Sequence, residues 1–411
     1  MKALRRKVFA AAGYTTVFLG PGRKEFDPSK PLPPFESYLK ETASGTLAQL
    51  TYRSVDEGII ASFMSGRFLK QANLPGFLPY MVPELNGKAC VAIEGACGSG
   101  GRAIGTAVRS ILAETADVVF VAAFEMQNSM KSLYGADVLA GAAYYRQERK
   151  EGHAHFFPGL FAERAAAYYN LYGYDTARQA MARWYEQAIL NARRNPKAQE
   201  YHNQAPDLFS LGMTPPDPSR FVPYLNLYDC SKISDGASSL IISSEEGLNQ
   251  CGIDRSLAVE IIAVGESQGD ITAAAVEPAS LTTTKHAVAQ ALETACISVD
   301  ALGLLELHDC FSITAILSLE ALGVVKEGKG AHYILEGNSS ATGRLPTNLS
   351  GGLCGFGHPT GASGVRQLVD LLQQFTQKAD NQVQPRTPFG MLISMGGNDK
   401  TVSSIIVKGS E

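Results

Sequence analysis

The 411-residue chain contains one tryptophan, seven cysteines and almost no charge imbalance. The cysteines stand at 90, 97, 230, 251, 296, 310 and 354, an odd number at wide spacings with no CxxC pair. That spacing excludes a zinc knuckle and a dense disulfide framework, and it suits reduced thiols in the cytoplasm. With 36 basic and 40 acidic residues and a formal charge of -4, the chain has no field that would gather nucleic acid or coat a membrane surface. No apolar run approaches the roughly 20 residues that a spanning helix requires. The basic start MKALRRKVFAAAGYTTVFLGPG is broken by Gly13, Gly20, Pro21 and Gly22 before a signal core can form, so Lys7 to Ala11 reads as a first strand.

The composition is that of a globular enzyme. Apolar residues make up 45% of a chain too long for one simple core, so two or three domains are expected. KACVAIEGACGSGGRAIGTAVRSILAETADVVFVAAFE reads as strand, glycine turn, helix and strand, a buried βαβ unit with strands at Cys90 to Ile93 and Val118 to Val121. From Met126 to Tyr228 the pattern turns into aromatic-rich helices and a proline-rich stretch, an inserted subdomain. Ala237 to Ser243 restores a strand, and strands and helices alternate from about Leu257 to the end. The two halves look like structural duplicates. The predicted division is 1–125 with 229–250, an insertion at 126–228, and 251–411.

Four segments carry chemistry. Cys97 in EGACGSGG follows an apolar strand and opens a helix, where free N–H groups and the helix dipole favour a thiolate nucleophile; a buried structural cysteine is the bland alternative. His358 in GFGHPTGASG sits among glycines at the start of another helix, placed to take a proton from a cysteine or to cap a turn. HDCF at 308–311 ends a buried strand. There His308 is suited to donate to a thioester oxygen, Asp309 to orient its neighbours and Cys310 to shuttle a proton, with a structural turn as the alternative. SMGG at 394–397 ends a further strand, where a glycine N–H would join that of Cys97 around an oxyanion. The pair His153 and His155 lacks further ligands at metal-binding spacing, so no metal is expected.

In this order CGSG, HDCF, GHPTGASG and the glycine-rich terminal strand pair resemble the thiolase superfamily over essentially the whole chain, and EMQNSM at 125–130 and SDGAS at 234–238 fit the same pattern. The resemblance implies two similar βαβαβαββ halves in a five-layered α/β/α/β/α core with an inserted loop domain. It assigns acylation to Cys97, its activation to His358, and oxyanion holes to His308 and to the Cys97 and Gly396 amides. Many thiolases carry an NEAF asparagine and a terminal CxG cysteine, whereas this chain has HDCF and Ser394-Met395-Gly396. HDCF is similar to the sterol carrier protein-type thiolases, in which Cys310 would take over acid/base catalysis.

The implied activity is cleavage of 3-ketoacyl-CoA by CoA, or the reverse condensation, with coenzyme A as substrate and no permanent cofactor. Acyl-CoA, CoA and a second or fourth copy of the chain are the expected partners. Three alternatives stand beside it: a ketoacyl synthase-like condensing enzyme, an acyltransferase working with a partner protein, and a non-catalytic acyl-CoA or lipid-binding protein.

Overall fold

The computed structural model describes residues 4–149, 155–274 and 277–410. Its strands are β1 (Val8–Thr15), β2 (Glu57–Ala61), β3 (Ala89–Ile93), β4 (Val118–Met126), β5 (Asp235–Ser243), β6 (Ala258–Gln268), β7 (Leu302–Glu306), β8 (Phe389–Gly396) and β9 (Thr401–Lys408). The longer helices are α1 (Phe35–Leu47), α2 (Ser99–Leu112), α3 (Phe156–Tyr172), α4 (Tyr174–Ala192), α5 (Thr282–Ala295), α6 (Ser312–Leu322) and α7 (Ser363–Phe375).

The strands hydrogen-bond in the order β3-β2-β4-β5-β1-β6-β9-β8-β7. At the junction β1 and β6, the first strands of the two halves, pair antiparallel with Phe9 opposite Glu260. Outward from that junction each half runs first, fifth, fourth, second. A third strand completes the N-terminal half as β3, and a single parallel bridge from Leu305 to Thr347 stands in its place in the other. The duplication read from the sequence is thus present in the topology.

α1 packs on β1, β4 and β5, and α5 on β6 and β9. α2 and α7 touch each other and strands of both halves, so the sheet wraps around them and the layers run α/β/α/β/α. Ile104, Val108, Leu368 and Val369 from these central helices share one core with Val121, Leu392 and Ile405 from the strands. Burying each such side chain contributes about 1.5–3 kcal/mol. The helices approach closely because of their glycines. A Cβ on Gly100 would lie 2.7 Å from the Val365 nitrogen, and one on Gly364 would lie 2.4 Å from that of Gly101. That contact draws the loops preceding α2 and α7, which carry Cys97 and His358, to one point.

The βαβ unit departs from expectation. β2 lies between β3 and β4, and β3 is an outer strand with Ala89 and Ala92 exposed. An apolar run alone does not separate a central strand from an edge strand, because both need β-formers.

Between β4 and β5 the described residues are helical, and this stretch is anchored beneath the HDCF loop. Arg178 on α4 makes a bidentate, fully buried pair with Asp229, at 2.7 and 2.5 Å, and Ser312 at the start of α6 donates to Asp229 at 2.6 Å. The division into 1–125 with 229–250, an insertion at 126–228 and 251–411 is a proposal for this chain.

Candidate active site

Cys97 lies in a tight turn, Ala96–Gly98, between β3 and α2. Ala96 holds a left-handed backbone at φ 53, an uncommon state for a residue with a Cβ. The turn is locked from both sides: the Ala96 N–H donates to Glu94 at 2.6 Å, and the Ser99 hydroxyl donates to the Ala96 carbonyl at 2.6 Å while accepting from the Gly95 N–H at 3.0 Å. The sulfur is surrounded by protein but keeps part of its surface open to a cavity of about 410 Å³. His308, Cys310, His358 and Gly397 line the same cavity.

The sulfur of Cys97 and one ring nitrogen each of His308 and His358 lie within 4.8 Å of one another. The two imidazoles meet edge to face with centroids 5.1 Å apart. Their hydrogen bonds set opposite tautomers. The Met395 N–H donates to Nδ1 of His308 at 3.3 Å, so the neutral ring carries its proton on Nε2. The Ser363 hydroxyl donates to the Pro359 carbonyl at 3.2 Å and therefore accepts from Nδ1–H of His358 at 2.7 Å. Nε2 of His358 is then a bare lone pair, and it has no hydrogen-bond partner among the described residues. With both Nδ1 atoms engaged, the cavity receives one N–H donor from His308 and one proton acceptor from His358.

Burial decides the charge states. It pushes Cys97 up to about 12, with the Glu125 carboxylate adding to the rise and the N–H groups of Cys97 and Gly397 only partly opposing it. The helix terminus offers less than the apolar surroundings remove, so Cys97 is held as a neutral thiol that needs a base to take its proton. His308 is pushed down to about 3 by burial and then by the Arg366 charge, and His358 well below its usual value by burial, His308 and Arg366. Cys310 is raised well above the ordinary thiol range by burial and by its proximity to Cys97. It rests protonated, the form that can give a proton away.

The supporting residues come from far along the chain. Asp309 faces away from the cavity and accepts from Trp184 Nε1 at 3.0 Å, Asn348 Nδ2 at 2.8 Å and the Leu353 N–H at 2.7 Å. Asn348 also brackets Leu307, accepting from its N–H at 2.8 Å and donating to its carbonyl at 3.1 Å. The buried Glu125 carboxylate collects donors from Phe63 at 2.7 Å and Ser62 at 3.0 Å on one side, and from Thr360 at 3.1 Å and Gly361 at 3.2 Å beside His358 on the other. Glu125 opens EMQNSM and Ser363 lies in GHPTGASG, whereas Asn348 belongs to no motif. Only Ser363, five positions after His358 in GHPTGAS, carries a local signal.

At the end of β8, Gly396 packs against β3's exit, where a Cβ would lie 2.1 Å from the Gly95 carbonyl oxygen. The next residue, Gly397 at φ 66, turns its N–H toward the Cys97 sulfur and lines the cavity. Ser394 lies fully buried against the N-termini of α2 and α7, within 2.7 Å of where Cβ atoms on Gly101 and Gly364 would sit. It is absent from the cavity wall among the described residues. Cys97, His308 and His358 form the single group of potential metal ligands found among the described residues. The His308 tautomer works against an ion there, because its cavity-facing nitrogen carries a proton. His153 lies outside the described residues, and the His155 ring packs 4.7 Å from that of Phe221.

A family model described as Thiolase C-terminal domain-like matches residues 265–409. An acetyl-CoA acetyltransferase of Methanothermobacter thermautotrophicus is 28% identical over 90% of this chain and 93% of its own length. Sterol carrier protein 2 of Rattus norvegicus is 30% identical over 59% of this chain and 43% of its own length, in line with the HDCF likeness. Among solved structures, the Ltp2-ChsH2(DUF35) aldolase superposes with a TM-score of 0.79 at 19% identity, covering 99% of this chain and 98% of that one. Human mitochondrial 3-ketoacyl-CoA thiolase in complex with CoA gives 0.68 at 17%, covering 100% of both chains. Motif order, duplicated topology, family model and relatives agree in one likeness: the chain is similar to the thiolase superfamily over most of its length.

Proposed function

We infer that the chain is an acyl-CoA C-acyltransferase that cleaves 3-ketoacyl-CoA with CoA, or runs the condensation in reverse, through an acyl-Cys97 intermediate. The observation that carries this reading is the convergence of two neutral thiols and two imidazoles of opposite tautomer on one cavity. His358 Nε2 takes the proton of Cys97 as the sulfur attacks the 3-keto carbon, with Ser363 holding the ring. The bond between the second and third carbons breaks, and the developing enolate oxygen receives the Nε2–H of His308. Cys310 protonates the second carbon, and acetyl-CoA leaves while the shortened acyl group stays on Cys97. CoA then attacks the acyl-Cys97 thioester, whose oxyanion would rest on amides at Cys97 and the Gly396–Gly397 turn.

Cys310, rather than Ser394, is assigned the proton transfer. It sits on the cavity wall as a thiol, while Ser394 is turned between two helices and carries a hydroxyl too weakly acidic for the task. Coenzyme A enters as substrate, with no permanent cofactor. The M. thermautotrophicus relative bears the name acetyl-CoA acetyltransferase and the human neighbour holds CoA, and both support this.

A homo-oligomer built across β3 is supported by that strand's uncharged, partly exposed edge next to the Cys97 turn. The Ltp2-ChsH2(DUF35) neighbour supports a further, different chain as partner. No helix is long and apolar enough to cross a membrane among the described residues, and seven free cysteines support a reducing, cytoplasmic setting.

The test is thiolysis of acetoacetyl-CoA and of a longer 3-ketoacyl-CoA by the purified protein, followed by loss of the 3-ketoacyl absorbance. Wild type is expected to cleave at least one of them and Cys97→Ala neither. Cleavage by Cys97→Ala at the wild-type rate would overturn the assignment.

A further inference from the structure

The cavity wall that runs between the two thiols is built of rings. Phe157 packs on the small apolar cluster that contains Ala96, the residue before Cys97. At the other end Phe311 directly follows Cys310. Phe161 joins them: its ring stacks on Phe311 with centroids 4.5 Å apart and planes 22° apart, and on Phe157 at 6.5 Å and 29°. All three line the cavity, and Phe161 and Phe311 are 1% and 6% exposed. The mouth is different in kind, with the exposed aliphatic side chains of Leu133, Leu227 and Ile233.

Rings stacked in a row cover one another's π faces, so what the row turns sideways is a line of C–H edges, the positive part of each ring's quadrupole. Such a wall complements the negative face of another aromatic ring, and it gives an alkyl chain nothing beyond contact. The cavity volume also sets a limit on size, since about 410 Å³ must hold the reacting carbons as well as the group beyond them.

Building on the acyl-Cys97 reading above, we propose that the acyl group this site carries ends in an aromatic ring lodged against Phe157, Phe161 and Phe311. The Cys97 sulfur bonds to the 3-keto carbon that bears the ring-terminated chain. The bond between carbons two and three breaks, its electron pair takes the Cys310 proton, and acetyl-CoA leaves. The CoA thiol then gives its proton to the Cys310 thiolate as its sulfur displaces Cys97, which takes back the proton held on His358 Nε2, and the aryl-terminated acyl-CoA leaves.

The experiment uses the wild-type protein with two 3-ketoacyl-CoAs of equal chain length, one ending in phenyl and one in cyclohexyl, alongside a linear one and acetoacetyl-CoA. With the ring separated from the keto group by two methylenes, the carbonyls are equally electrophilic, and what differs is the ring itself, flat with a quadrupole in one and puckered without one in the other. The phenyl substrate is expected to exceed the cyclohexyl and linear ones in kcat/KM by about tenfold. Phe161→Leu, checked for a cooperative thermal transition, is expected to bring the phenyl-to-cyclohexyl ratio toward one. A phenyl substrate no better than its cyclohexyl twin would overturn the proposal.

A second arm reads the pocket without carbon–carbon cleavage. Saturated acyl-CoAs with the same two termini are offered to the protein, and the acyl-Cys97 adduct is followed by intact mass. Preferential phenyl loading with no cleavage of any ketoacyl substrate would sink the thiolase reading and sustain the pocket. Equal loading, or none, would overturn the pocket as well.

Discussion

Trp184 on α4 donates its indole N–H to Oδ2 of Asp309 at 3.0 Å, tying the helical excursion to the loop that presents His308 and Cys310. Both partners are buried, so Trp184→Phe leaves one lobe of a buried carboxylate unpaired while preserving most of the packing. The loss expected is about 1–3 kcal/mol of stability. Because the loop and not the Cys97 turn loosens, the turnover number should fall more than the rate of Cys97 acylation. Denaturant melts and single-turnover acylation check the two halves of this statement, and equal losses in both rates would count against it.

Cys310→Ala separates the two chemical roles. The variant keeps the nucleophile, its base and the His308 donor, so an acyl-CoA should still load Cys97 and be visible by intact mass. Cleavage of a 3-ketoacyl-CoA should drop by about 10²–10⁴-fold, the range a positioned acid or base contributes. Cys310→Ser should not restore it, since a hydroxyl is too weak an acid. Restoration by serine would remove Cys310 from proton transfer.

Much of this site was legible in the sequence because reactive residues stand in short motifs. Cys97, His308, Cys310 and His358 each sit at a strand end or a helix opening, where turn chemistry is local. Four strands outlined by β-branched runs also appear where expected. What was hidden is long-range. The Asp309 partners Trp184 and Asn348 lie 125 and 39 positions away. Glu125 meets Thr360 across 235 positions. Burial, which raises the Cys97 thiol, depends on how α2 and α7 pack and not on the residues next to the thiol.

The charge states give a pH test. A thiol raised to about 12 is almost wholly protonated at neutral pH, so alkylation of Cys97 in the free protein should climb about tenfold per pH unit from pH 7 to 10 without levelling. The sign follows from burial favouring the neutral form: the thiolate appears only as pH rises toward the raised value. Mass-resolved iodoacetamide kinetics, with Cys97→Ser identifying the site, measure it. A plateau with a midpoint below pH 8 would mean a resting thiolate–imidazolium pair and would reverse the direction assigned here.

Removal of metal is a further discriminating treatment. Nδ1 of His308 accepts from the Met395 N–H, so the nitrogen facing Cys97 carries a proton and cannot ligate until that hydrogen bond is broken. Dialysis against EDTA is therefore expected to leave thiolysis unchanged, and added zinc is expected to inhibit reversibly by competing for Cys97 and His358. Loss of activity on chelation, with recovery on zinc, would sink the tautomer assignment.

The edge strand β3 yields a prediction about assembly that also bears on catalysis. Its five residues carry no charge, Ala89 and Ala92 are exposed, and its outer backbone groups have no strand partner among the described residues. Edges of monomeric proteins are usually blunted by charge or proline, so an unblunted edge suits pairing with a second copy. Ala92→Lys places a cation in that seam and is expected to halve the mass measured by light scattering. Since β3 leads straight into the Glu94 to Cys97 turn, acylation should slow in the same variant. An unchanged mass with normal activity would move the subunit interface elsewhere.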